Sequence, residues 1–200
     1  PLYEEGESLD ALKAVLSLGI DPETGKEVFV KKDGSLTTIW DYNDKVVCGT
    51  TDPKFRGTLN SFLTFKGISL NMSFNFQWGG QTYNQTLASR VEGVNPNSNC
   101  DRRGMDDRWK KPGDRTFFKN IALEENVSNL TTRFVQDYNY FQIGSISLGY
   151  EMRRELCRKI GLTGLRFNMG DIARFSSVKE ERGLSYPFAR QFTFSLSASL

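Results

Sequence analysis

The chain has 200 residues, of which 26 are Lys or Arg and 24 are Asp or Glu, for a formal net charge of +2. A balance this near neutral supplies no basic field and argues against a nucleic-acid partner. The absence of His removes Ser-His-Asp and Cys-His catalysis from the chain, and no run of about 18 apolar residues encodes a transmembrane helix.

The chain opens at Pro1 without an initiating Met, a charged n-region or an apolar h-region, so any export signal is expected upstream or already removed. Residues 1–54 read as an extracellular loop region. Asp21 to Gly25 has turn chemistry, and Glu27 to Trp40 reads as a small hairpin around Lys32-Asp33-Gly34. Cys48, Cys100 and Cys157 form an odd, widely spaced set with no CxxC, so no metal site is expected. A Cys48–Cys100 pair in an oxidising compartment stands against two free thiols.

From Phe55 onward the pattern changes to period two. Phe55, Leu59, Leu63 and Phe65 oppose Arg56, Thr58, Asn60 and Thr64, then Lys66-Gly67 makes a turn. In the second arm Ile68, Leu70, Met72, Phe74, Phe76 and Trp78 oppose Ser69, Asn71, Ser73, Asn75 and Gln77. The predicted strands cover about 55–66, 68–79, 140–152, 165–175 and 188–200. Each has roughly the 9 to 11 residues that a tilted strand needs to cross a bilayer. In the last of them Phe188, Phe192, Phe194, Leu196, Ala198 and Leu200 share one face.

The connections come in two kinds. Lys66-Gly67 and Arg153 to Gly164 are compact, the latter a short helix ended by Gly161, whereas 80–139 and 176–187 are long and polar loops. Placing the end of the last strand at the periplasm puts both compact connections there and every long segment outside, as in outer-membrane barrels. Aromatics gather near strand ends, with Trp78, Tyr83, Phe175, Tyr186 and Phe188 at the outer interface and Phe65 and Tyr150 at the inner one. Soluble strands average about half this length. The fold predicted is therefore all-β: residues 55–200 as antiparallel transmembrane β-barrel strands with long extracellular loops, completed by strands expected to be encoded upstream. The alternative is a soluble secreted β-sandwich that binds carbohydrate through Trp40, Tyr83 and Trp109.

Candidate chemistry is sparse. Asp106-Asp107, Glu124-Glu125 and Glu180-Glu181 are adjacent carboxylate pairs that read as solvated loop charges. Asp21 to Gly25 lacks the spaced acidic ladder of a calcium loop. Sequons at Asn71, Asn84, Asn126 and Asn129 fit chance in an Asn- and Ser-rich chain, since Asn71 lies inside a strand. Arg153, Arg154, Arg158 and Lys159 read as a solvated turn. In the longest loop, Arg102, Arg103, Arg108 and Trp109 have the composition of a recognition anchor facing substrate or partner, unless Trp109 packs the loop against the barrel mouth.

Several segments, in order along the chain, resemble one family. These are PKFRG (53–57) with FKGISL (65–70), DRWKKPGD (107–114), YFQIGSISLGY (140–150), KIGLTGLR (159–166) and RGLSYPFARQFTF (182–194). They are similar to the SusC/RagA group of TonB-linked outer-membrane proteins of Bacteroidetes. The resemblance implies the C-terminal strands of a large plugged barrel of the 22-stranded class, embedded in outer-membrane lipid. It further implies import of glycan or peptide beneath a SusD-like surface lipoprotein, with TonB engaged through an upstream region, no cofactor and no enzymatic activity. Phe192, Phe194 and Leu200 would form the barrel-assembly signal, although the family usually ends in an aromatic residue and this chain ends in Leu200.

Overall fold

The computed structural model describes residues 5–94, 101–122, 129–179 and 190–198. They divide into two units, Pro1–Asp52 with Gly80–Asp137 and Pro53–Gly79 with Tyr138–Leu200.

The second unit is built on a five-stranded antiparallel sheet in the order β5-β6-β7-β8-β9. Its strands are β5 (Phe55–Phe65), β6 (Ile68–Tyr83), β7 (Val135–Glu151), β8 (Leu162–Ser176) and β9 (Gln191–Ala198). β5 and β6 pair without interruption from Phe55↔Trp78 to Phe65↔Ile68. Their two-residue turn has φ of 49° at Lys66 and 86° at Gly67. Positive φ at both central positions is the turn whose twist matches that of the strands it joins. β7 passes to β8 through α2 (Arg154–Ile160), which ends where Gly161 takes φ 74° and its N–H returns to the Cys157 carbonyl at 2.8 Å.

β6 and β7 are longer than their alternation foretells, and Gly80–Tyr83 and Val135–Asp137 belong to the first unit. β7 also changes phase, its apolar residues moving from odd positions (Phe141, Ile143) to even ones (Ile146, Leu148, Tyr150). A register shift between Ile143 and Ser145 falls at that point. Phe141 stacks on Phe74 at 5.9 Å, while a Cβ at Gly149 would meet the Ser69 hydroxyl. Odd and even apolar sets therefore end on one face, which an unbulged strand cannot achieve.

The first unit holds a four-stranded sheet in the order β3-β2-β1-β4, made of β1 (Ala11–Ile20), β2 (Glu27–Val30), β3 (Leu36–Thr37) and β4 (Lys45–Thr50). Only the β2–β3 hairpin is legible as alternation. β1 hides its strand character because Ala14 and Val15 are both buried and its pairing shifts register twice. Within the long polar segment 80–139, Ala88, Val91, Phe118 and Phe134 form a buried cluster, with Tyr83, Leu87 and Phe117 against them. A π-helical turn at Leu87–Glu92 and α1 (Arg103–Asp106) lie in the same segment. These apolar residues cluster locally without a strand or helix period, so periodicity does not reveal them.

Candidate functional site

Two features of this fold bear on function: the two faces of the long sheet, and the way the first unit is locked.

On the long sheet, cross-strand partners sort by polarity. Leu59↔Phe74, Leu63↔Leu70, Ile146↔Met169, Leu148↔Phe167, Phe167↔Phe194 and Met169↔Phe192 are apolar rows. Thr58↔Asn75, Asn60↔Ser73, Ser147↔Asn168 and Asn168↔Thr193 are polar ones. Phe62, opposite Asn71, is a large apolar exception on the polar face. No residue of β5 or β9 is buried, and Phe65, Phe62 and Phe194 are each about two-thirds exposed at 69%, 68% and 65%. A sandwich would bury one face of this sheet against a second. Here the greasy face is continuous and bare, which suits a surface whose solvent is lipid.

In the first unit the sequence-predicted anchor residues separate. Arg102 faces outward, its side chain 90% exposed and 3.4 Å from Asp106. Arg103 pairs with Asp101. Arg108 is 2% exposed, and its guanidinium donates to the carbonyls of Gly104, Lys119 (3.2 Å), Val91 (3.0 Å) and Glu92 (2.8 Å). Trp109 is buried against Gly25 and donates its indole N–H to the Pro22 carbonyl at 2.8 Å. Arg108 and Trp109 thus hold the loop from within, because capping several buried carbonyls is the work of a multi-donor guanidinium. The Gly113 N–H also reaches Pro22, and Asn120 N–H reaches Gly25. Asp114 accepts from the N–H groups of Lys110 and Lys111. The DRWKKPGD segment therefore clamps the Asp21 to Gly25 turn, two stretches that the sequence treats separately. Asp21 itself is occupied by that turn, the Thr24 hydroxyl and Glu23 N–H holding its carboxyl below the usual range.

A buried ion network had no motif to announce it. Arg133 spends all five N–H donors. Nε and Nη2 grip Glu27 at 3.0 and 2.7 Å, Nη2 and Nη1 reach Glu92 at 2.9 and 2.5 Å, and Nη1 also meets the Phe117 carbonyl. Its guanidinium lies over the Phe134 ring at 4.5 Å. Burial disfavours its charge, but the hydrogen bonds it donates to Glu92 and Glu27 outweigh that and raise its pKa above the usual arginine value. The one sequence signal is Glu27 itself, two residues from buried Phe29 in β2 and hence on the core face.

The aromatics of the sandwich alternative do not form a platform. Trp109 is inside the loop, Tyr83 packs edge-on against Phe134, and Trp40 gives its indole N–H to Leu130. Among the described residues no three His, Cys, Asp or Glu side chains converge. Phe192 and Phe194 lie on the apolar face of β9. Leu200, Cys100, Asn126, Tyr186, Phe188 and the pairs Glu124-Glu125 and Glu180-Glu181 lie outside the described residues.

No family model matches the chain. It is 28% identical over 152 residues to TonB-dependent receptor P3 of Formosa agariphila, a match spanning 75% of this chain and 14% of that protein. Among solved structures it is similar to the RagAB peptide transporter, with a TM-score of 0.65 at 16% identity over 84% of this chain and 19% of that one. The RagAB peptide importer in its open-open state gives 0.63 at 17% identity, over 86% and 19%. Those structural likenesses establish the fold, and the chain spans less than a fifth of each relative's length. The chain is thus similar to a segment of a TonB-dependent receptor of the outer membrane, and it shares the fold of part of the RagAB transporter.

Proposed function

We propose that this chain supplies part of the wall and outer loops of a plugged barrel of the 22-stranded class that imports a nutrient, glycan or peptide, across the outer membrane. The observation that carries this reading is the unburied apolar face of five long antiparallel strands. Such a sheet is stable only when lipid covers that face and further strands satisfy the edges of β5 and β9. The wet face then lines the lumen, and residues 1–54, 80–139 and 176–187 lie outside the cell. Binding and passage, without bond chemistry, are the activity, and the named relatives are a receptor and transporters.

TonB engages the protein through a region outside this chain, and a SusD-like lipoprotein sits on the outer loops. Of the predicted contact residues, the exposure of Arg102 supports a contact with partner or substrate, while Arg108 and Trp109 fix the loop that carries it. Phe192 and Phe194 present the apolar strand that the barrel-assembly machinery reads, and Leu200 belongs to the same sequence signal.

The test is purification of the full-length protein from outer membranes. Extraction only in detergent, together with a lipoprotein, and loss of nutrient uptake on deleting the gene are the expected results. A detergent-free soluble particle would overturn the reading. Replacing Arg102 with Ala should weaken lipoprotein retention or uptake without lowering barrel yield; unchanged association and uptake would remove Arg102 from the contact.

A further inference from the structure

We infer that the end of the long sheet carrying its two compact connections is a binding surface for an anionic phospholipid headgroup. The inference rests on the barrel reading and adds a lipid partner to it.

The two connections touch. Glu151 N–H donates to the Gly67 carbonyl at 2.8 Å, and a Cβ on Gly67 would lie 2.7 Å from the Glu151 carbonyl oxygen. Lys66 of the first connection and Arg153, Arg158 and Lys159 of the second therefore stand at the same end of the sheet, with Glu151 and Glu155 as the acidic residues among them. Lys66, Arg153, Arg158 and Lys159 are exposed. α2 is no free loop. Cys157 N–H bonds to Arg153, Gly161 N–H to Cys157, and Met152 N–H to Thr163, so the basic residues are held at the end of the sheet.

This basic end borders the apolar face directly. Phe65 pairs with Ile68, Tyr150 with Leu165 and Leu165 with Leu196, all in the last rows before the connections. The Lys66 ammonium lies 5.1 Å from the centre of the Phe65 ring. Its charge is held over an aromatic ring in the last row of the greasy band, at the level where the headgroup layer would begin. A tyrosine at the same level marks that interface. Clustered cations at this height attract anionic lipid, each contributing to a preference over zwitterionic lipid.

Arg158 and Lys159 also sit in the last turn of α2, where cations complement the helix dipole. Lys66 and Arg153 lie outside that turn, so they separate lipid binding from helix stabilisation.

The experiment uses the full-length protein in detergent, titrated with phosphatidylglycerol and, separately, phosphatidylcholine, with bound lipids counted by native mass spectrometry. Preference for phosphatidylglycerol is expected, and Lys66→Asn with Arg153→Gln should reduce it roughly tenfold or more. Asn tolerates the left-handed backbone at position 66. Arg158→Gln with Lys159→Gln should act in the same direction. Equal binding of the two lipids, an unchanged preference in both variants, or saturation of the surface by inorganic phosphate in place of lipid would each overturn the inference. Heat resistance of the barrel and its recovery from outer membranes are read in the same samples. An integral barrel without lipid preference defeats this inference alone, whereas a protein that is not an integral barrel defeats the proposed function with it.

Discussion

Arg133 and Glu92 meet where neither reaches water, with Nη2 2.9 Å from Oε1 and side chains 5% and 0% exposed. Glu27 holds the other edge of the same guanidinium, so one arginine ties β2 to the Leu87–Glu92 turn. Replacing Arg133 with Met leaves two carboxylates buried beside an apolar side chain. The expected cost is about 3–5 kcal/mol, because an uncompensated buried charge loses far more than the net worth of the pair. Limited proteolysis of the first unit should accelerate accordingly. The triple change Arg133→Met, Glu27→Gln, Glu92→Gln should recover much of the loss, and failure to do so would show that the guanidinium serves packing more than charge.

The clamp on the Asp21 to Gly25 turn makes a second prediction. Gly25 has φ 69°, and a Cβ there would come within 2.5 Å of Trp109 Cδ2 and 2.9 Å of Asn120 Cβ. Gly25→Ala meets both backbone strain and a ring that cannot yield, and should destabilise the clamp by roughly 1–3 kcal/mol. Hydrogen exchange at Asn120 N–H, which bonds to Gly25, reports it directly. Trp109→Ala, which removes the ring and vacates its space, should cost about 3–5 kcal/mol.

Leu70 and Asn71 are chain neighbours whose partners across the sheet are Leu63 and Phe62. They point to opposite faces, so the same substitution asks two different questions. On the proposed barrel reading, Leu70→Arg places a cation on the lipid-facing side near the end of the strand, at a cost below the roughly 2–4 kcal/mol of the bilayer midplane, while Asn71→Arg places it in the wet lumen. Outer-membrane yield and heat resistance should fall for the first and hold for the second. Equal tolerance at both positions would count against a lipid-facing surface.

Cys48 offers a pH readout in the first unit. Burial pushes its thiol above the ordinary value, and Sγ donates to the Leu12 carbonyl at 3.2 Å. Modification by a thiol reagent should therefore be slow at neutral pH and rise with pH until the folded pKa is passed. A thiol raised by folding contributes stability that is present below the unfolded pKa and is lost as pH climbs through the folded one. Unfolding in denaturant should make Cys48 react at the rate of an ordinary thiol at the same pH, and no difference between the two states would contradict the burial.

How much of this was legible in the sequence depended on whether a residue's role is local. Alternation from Phe55 to Trp78 prescribes its own hairpin, because the two faces of a strand differ by one residue and Lys66-Gly67 can adopt the turn. It thereby determined an antiparallel hairpin and which side of each of its strands is greasy. Periodicity could not say that the 80–139 segment packs its own core, that DRWKKPGD closes on Asp21 to Gly25, or that Arg108 and Trp109 face inward. Arg133 and Glu27 lie 106 residues apart, and an arginine reads as solvated until its carboxylates are found. Those relationships belong to tertiary structure because burial is a property of what surrounds a residue. The wall is the converse case: its strands bury almost nothing within the chain, so their sequence had to carry the pattern by itself.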